Sequence, residues 1–312
     1  MKKGINYDTG FLPGDDLSRK SFDLEDVERD MRAIARDLRC DSVRISGRDP
    51  GRIAAAAEHA VAAGLEVWFA PFPVDLTEDE MLALFAESAG RAEALRRAGG
   101  DVVLVTGCEI TAFGHGFMDG ATYRDRLDTM MAGDVTWWTT LMQVMPRFNT
   151  YLATVAEHVR PLFGGRLSYA AGPWEPVDWT PFDVAGVDAY RAAYNAHDFT
   201  GELRAHFKQG RPVAVTEFGT CPYRGAGERG GSAWVVPEGA VRDEGEQIRY
   251  YTELMDIFEQ EGVDTALWFT FAAYNRTGED DLGSYGVVRM LDEKRWEPRE
   301  VFHAMAARNA SS

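Results

Sequence analysis

Eight short apolar runs, alternating with longer amphipathic segments, constrain what this chain can fold into more than any other feature. The runs are Gly4–Tyr7, Ser42–Ser46, Glu66–Ala70, Val102–Thr106, Leu167–Ala170, Val184–Asp188, Val213–Glu217 and Ala266–Phe271. They are too short for buried helices and mostly rich in β-branched residues, so they read as strands. Helical periodicity marks Leu24–Leu38, Gly51–Ala63, Glu78–Ala98, Arg147–Leu162, Asp198–Gln209 and Glu244–Gln260. Gly64, Gly99-Gly100, Gly164-Gly165 and Gly262 stand just before strands, where a glycine ends the preceding helix by adopting a left-handed cap. Eight strands with crossover helices predict an α/β fold, a single (β/α)8 TIM barrel spanning residues 1–312. A doubly wound open sheet would carry a glycine-rich phosphate loop after its first strand. The segment Asp8-Thr9-Gly10-Phe11-Leu12-Pro13-Gly14 lacks that fingerprint.

Two strand ends carry an unusual residue. Glu109 closes Asp-Val-Val-Leu-Val-Thr-Gly-Cys-Glu, and Glu217 closes Pro-Val-Ala-Val-Thr-Glu. A carboxylate loses water at the end of a buried strand, so two in matching settings imply a site that needs paired carboxyl groups. Glycoside cleavage is the reaction that most often does. Long segments follow both glutamates, about 110–136 and about 218–243, and both are expected as loops walling a site at the carboxyl ends of the strands.

The net charge of −17 repels nucleic acid and anionic lipid, which excludes both as partners and favours a small-molecule or carbohydrate substrate. Cys40, Cys108 and Cys221 are too few for a disulfide framework and form no zinc motif. Neither a metal nor an organic cofactor is expected. Met1-Lys2-Lys3 leads straight into the first strand with no signal peptide, and no stretch is long enough to span a membrane. The expected location is cytoplasmic, unless a leader was removed. Oligomeric state is left open; Trp137-Trp138 reads as either a substrate wall or a subunit contact.

With glutamates ending strands four and seven, the chain resembles the clan A-like retaining glycoside hydrolases built on a (β/α)8 barrel. The resemblance covers essentially the whole chain. It implies Glu109 as acid/base and Glu217 as nucleophile, with Arg44 on strand two and Tyr190 after strand six supporting Glu217. It also implies Trp268 on strand eight as a sugar platform. Asn6 and Tyr7 at the end of strand one, and Trp174 and Glu175 after strand five, are further candidate contacts, Glu175 as a possible third carboxylate. Asp188 could line the site or hold an arginine; His115, His197 and the acidic turn Gly278–Asp281 carry weaker expectations.

One position departs from the clan. An asparagine that hydrogen-bonds the sugar 2-hydroxyl normally precedes the acid/base, and here it is Cys108, a weak donor. The expected substrate therefore lacks a free 2-hydroxyl, carries a 2-substituent or is not a simple sugar. Two alternatives stay open: a catalytically silent carbohydrate-binding or interaction barrel, and a barrel enzyme using the glutamates for proton transfer on a non-sugar metabolite.

Overall fold

In the computed structural model, which describes every residue except 15, 16, 134 and 312, all eight runs form strands. These are β1 (Lys2–Asp8), β2 (Ser42–Gly47), β3 (Glu66–Pro71), β4 (Val102–Cys108), β5 (Arg166–Ala171), β6 (Ala185–Asp188), β7 (Val213–Phe218) and β8 (Thr265–Trp268). They close in sequence order, and β8 returns to pair in parallel with β1. The fold is a (β/α)8 barrel, as the alternation predicts.

The helices form where local signals start and stop them. α1 (Leu24–Arg32) runs on as a π-helical turn over Ala33–Asp37. α2 (Pro50–Ala62) begins with Pro50 in its first turn, and the Asp49 carboxylate accepts from the amides of Gly51 and Arg52. A reciprocal Thr77–Glu80 capping box starts α3 (Glu78–Arg97). The segment after β4 differs from expectation. It is not one long loop but a helical turn, α4 (Ile110–Phe113), then α5 (Tyr123–Met131), then α6 (Val135–Val159). α5 starts at a second capping box, Thr122–Asp125. α6 was expected only from Arg147, and it contains Pro146, which lacks an amide to continue the ladder. The helix runs through it, since Trp137, Leu141, Met145, Phe148 and Leu152 make one continuous buried face.

The second half is more economical. No α-helix lies between β5 and β6, where residues 172–184 cross directly. α7 (Phe199–Phe207) follows β6, and α8 (Gly245–Glu261) follows β7 and ends at Gly262 in the left-handed region (φ 77°). A hairpin of β9 (Val288–Met290) and β10 (Trp296–Pro298) leads into α9 (Glu300–Ala310). Asp281, fully buried, pairs with Arg299 and Arg242 and anchors these last segments, while Glu279 and Asp280 of the acidic turn are exposed.

Side chains alternate across the barrel wall with period two. Trp68, Val103, Val105, Ala170, Ala214 and Leu267 pack in a cluster of their own. Their strand neighbours Val67, Phe69, Leu104, Val215 and Trp268 pack with the surrounding helices in a second, larger layer.

Candidate active site

The carboxyl ends of β4, β6 and β7 are where the barrel loses its regular register. β4 slips against β5 between Val105 and Cys108, β6 against β7 between Val187 and Asp188, and β7 against β8 between Val215 and Phe218. Such irregularities re-aim side chains and gather beside functional sites. In β4 the slip depends on Gly107, whose φ of 99° and whose position 2.6 Å from Ile110 Cδ1 (measured from where a Cβ would stand) leave no room for a side chain. Glu109 follows in the left-handed region (φ 45°, ψ 42°), which costs an L-residue about 1–2 kcal/mol.

Hydrogen bonds fix that conformation. The Glu109 amide donates to Ala170 O (2.9 Å), and its carbonyl accepts from the amides of Ala112 (2.9 Å) and Phe113 (3.0 Å). Behind it, Ile110 N donates to the Tyr169 hydroxyl (2.8 Å), which donates to Glu175 Oε2 (2.8 Å). Thr111 gives Glu175 Oε1 both its amide (3.0 Å) and its hydroxyl (2.6 Å). Glu175 is therefore a buried latch on the turn that carries Glu109 and does not face the cavity.

Glu217 has the opposite setting. Arg44 Nη1 donates to its Oε1 (2.6 Å), and the Tyr190 hydroxyl donates to its Oε2 (2.9 Å). The same Arg44 nitrogen donates to Asn6 Oδ1 (2.8 Å), while Asn6 Nδ2 is held by backbone carbonyls including Thr216 O (2.9 Å). Asn6 and Arg44 thus stand behind Glu217, not in the cavity wall. Cys108 Sγ lies 3.6 Å from Glu217 Oε1 and 3.5 Å from Asp188 Oδ2, and Thr216 Oγ1 donates to Asp188 Oδ1 (2.8 Å).

These environments set protonation. Burial, then the negative charges of Asp188, Glu217 and Glu175, holds Glu109 well above the usual carboxyl range, partly offset by Arg44. Burial and then the charge of Glu217 raises Asp188 likewise. Tyr190 and Cys108 are both pushed up, chiefly by burial, and so stay protonated as donors. Cys108, Asp188 and Glu217 place potential ligand atoms within 4.8 Å of one another, but the Arg44 guanidinium already meets Glu217 as its cation.

Glu109, Asp188, Glu217, Cys108, Tyr190 and Trp174 line one cavity of about 890 Å³. Trp268 and Tyr7, like Asn6 and Glu175, do not. Trp268 is fully buried in the outer layer against Phe218 and Tyr251, with Nε1 donating to Tyr285 O (3.1 Å). Tyr7 is buried on the same side and donates to Asp30 Oδ2 (3.0 Å). Both errors have one cause: Asn6 and Leu267 point inward, so the next residue on each strand points out. His115 sits against Arg126, outside the cavity, and His197 is exposed. Of the tryptophans, Trp138, Trp174 and Trp234 line the cavity, while Trp68, Trp137 and Trp179 are buried. Sequence reasoning missed Phe11, Phe72, Phe113, Tyr285 and Arg276, all in the lining. The signal for three of them was legible, as Phe11, Phe72 and Phe113 each lie within five residues of a strand end.

Fold and site together define a (β/α)8 barrel whose cavity is centred on two strand-end glutamates. Its architecture is shared with solved glycoside hydrolases. It superposes on a β-1,4-mannanase of glycoside hydrolase family 113 with a TM-score of 0.67 and 14% identity, covering 100% of this chain and 99% of that one. A family 113 β-mannanase from Alicyclobacillus acidocaldarius, in complex with ManMIm, gives 0.65 and 16%, covering 99% and 96%. A β-glucuronidase from an uncultured Clostridium sp. gives 0.61 and 14%, covering 100% of this chain and 50% of that one. No family model matches the chain, and no curated protein matches it.

Proposed function

We propose that this protein is a retaining glycoside hydrolase acting on a small or soluble glycoside, with Glu217 as nucleophile and Glu109 as general acid/base. One observation carries the reading: two glutamates face one cavity in opposite electrostatic settings, Glu217 held by a cation and a phenol, Glu109 kept protonated by burial and by neighbouring negative charge. That difference is what the two roles require.

In this mechanism a Glu217 oxygen bonds to the anomeric carbon as the glycosidic bond breaks, and the departing oxygen takes the Glu109 proton. The ionised Glu109 then removes a proton from water, which attacks the same carbon and expels Glu217. Free sugar leaves with its configuration retained, and Glu109 regains its proton. Arg44 and Tyr190 keep the Glu217 oxygens aligned, and the negative charge of Glu217 adds to the burial that keeps Glu109 neutral. Cys108 stands where a donor to the 2-hydroxyl is usual, and its thiol is directed at Asp188 and Glu217. A sugar without a free 2-hydroxyl, or with a 2-substituent, suits this position; Cys108→Asn should then lower activity on the true substrate. The same cysteine supports a second reading, a barrel that binds carbohydrate without turning it over.

A panel of aryl glycosides with activated leaving groups decides between them, run on wild type and Glu217→Gln. Wild type should turn over at least one member with retained configuration by NMR and be labelled on Glu217 by the matching fluorosugar. Glu109→Gln should lose about 10²–10⁴-fold with poor leaving groups and much less with activated ones. Uniform inactivity without labelling would sink the hydrolase reading.

A further inference from the structure

An aromatic chain crosses the cavity wall beside Glu109. Phe11, after β1, meets Phe72, after β3, with ring centroids 5.0 Å apart. Phe72 meets Phe113 of α4 edge-on at 5.0 Å, and Phe113 stacks on Tyr123 of α5 at 5.8 Å with 19° between planes. All four rings line the cavity together with Leu12 and Leu127. Phe113 is one helical turn from the acid/base, since its amide bonds the Glu109 carbonyl (3.0 Å). Two polar groups on this side are engaged by the backbone, while Ser46 Oγ has no partner among the described residues and Arg124 and Asp128 of α5 also line the cavity. Asp8 Oδ1 accepts from Gly10 N (2.6 Å) and Phe11 N (3.2 Å), and Ser18 Oγ accepts from Phe11 N (2.9 Å).

The group bonded to the oxygen that Glu109 protonates is the leaving group, and the ring of Phe113 brings this wall within one helical turn of Glu109. A second sugar seated on the rings themselves would turn hydroxyls toward aromatic faces and a leucine, and would lose hydration there without replacement. An aryl or alkyl group gains from leaving water at the same surface. We propose that the substrate carries an apolar aglycone, aryl or alkyl, seated against Phe11, Phe72, Phe113 and Leu127; this rests on the glycosidase reading above.

The test uses methyl and octyl thioglycosides of glucose, mannose, galactose and N-acetylglucosamine, which resist hydrolysis. Calorimetric Kd values are measured below micelle-forming concentrations for wild type, Leu127→Gln and Phe11→Ser. For at least one sugar, octyl should bind ten-fold or more tighter than methyl, and both variants should bring that ratio toward one. Two half-exposed positions are used so that a folding defect in one leaves the other readable. Equal methyl and octyl affinities, a ratio that survives in both variants, or tighter binding of cellobiose or mannobiose than of the octyl compounds overturns the proposal. Because thioglycosides are not cleaved, this result is independent of whether aryl glycosides turn over. Failure of the aglycone site and failure of the hydrolase reading are therefore separate outcomes.

Discussion

At the scale of single residues, the Arg44–Glu217 pair and the isolated Glu109 make opposite demands on stability. Arg44 is fully buried, so Arg44→Met leaves Glu217 an uncompensated charge and should cost about 3–5 kcal/mol. Adding Glu217→Gln to it should recover a large part of that loss, measured as the coupling energy of a double-mutant cycle in denaturant. Glu109 behaves in reverse. Its folded-state pKa lies above that of the unfolded chain, so its stabilising contribution is complete below the unfolded value of about 4.3 and is lost as pH rises toward the folded one. Glu109→Gln should thus raise Tm at pH 8 and change it little at pH 4.5 by thermal unfolding. The same titration should give activity a basic limb, with turnover falling as Glu109 loses its proton. The pair of glutamates was legible in the sequence because each interrupts an apolar run. The outward positions of Trp268 and Tyr7 were also legible, through the parity of Leu267 and Asn6, yet the family pattern placed Trp268 at the sugar and the strand-end position alone placed Tyr7 there.

At the scale of elements, strand-end irregularity aims the site. The β4 slip requires Gly107 at φ 99°, so Gly107→Ala should destabilise by roughly 1–3 kcal/mol and lower kcat by misplacing Glu109. Unfolding and turnover assays on one preparation check both halves; full activity in a folded G107A protein would show that the slip does not aim Glu109. The helices were predictable wherever a cap or a stop glycine marked them, and obscure after β4. There a proline interrupts the pattern of α6, and α4 is one turn whose stability comes from Glu175, Tyr169 and the Glu109 carbonyl. The contacts to Tyr169 and Glu175 join residues about sixty positions apart, which no local window contains.

For the molecule as a whole, eight alternating segments sufficed to foresee the closed barrel, because parallel strands with crossover helices have few other ways to hide both faces of a sheet. The cavity was another matter. Its lining comes from loops after many different strands, and only closure puts Phe11, Phe113, Tyr285 and Glu217 around one space. Closure is also uneven. β2 and β3 pair over six residues, from Ser42–Glu66 to Gly47–Pro71, while β5 and β6 pair only at Ala170–Gly186 and Ala171–Val187, with no helix between them in sequence. A ring should open most readily at its shortest seam. Amide deuteration should reach the β5 and β6 protons before those of β2 and β3, read by mass spectrometry of the native protein. Asp188 ends β6, and Tyr190 lies two residues beyond it. β6 stays joined to β7 at Asp188–Glu217 and by the Ala189 amide on the Glu217 carbonyl. A parting of this seam would therefore carry Tyr190 and Glu217 together away from the Glu109 turn, whose amide is tied to β5 at Ala170 O, and the span between the two carboxyl groups would widen with it.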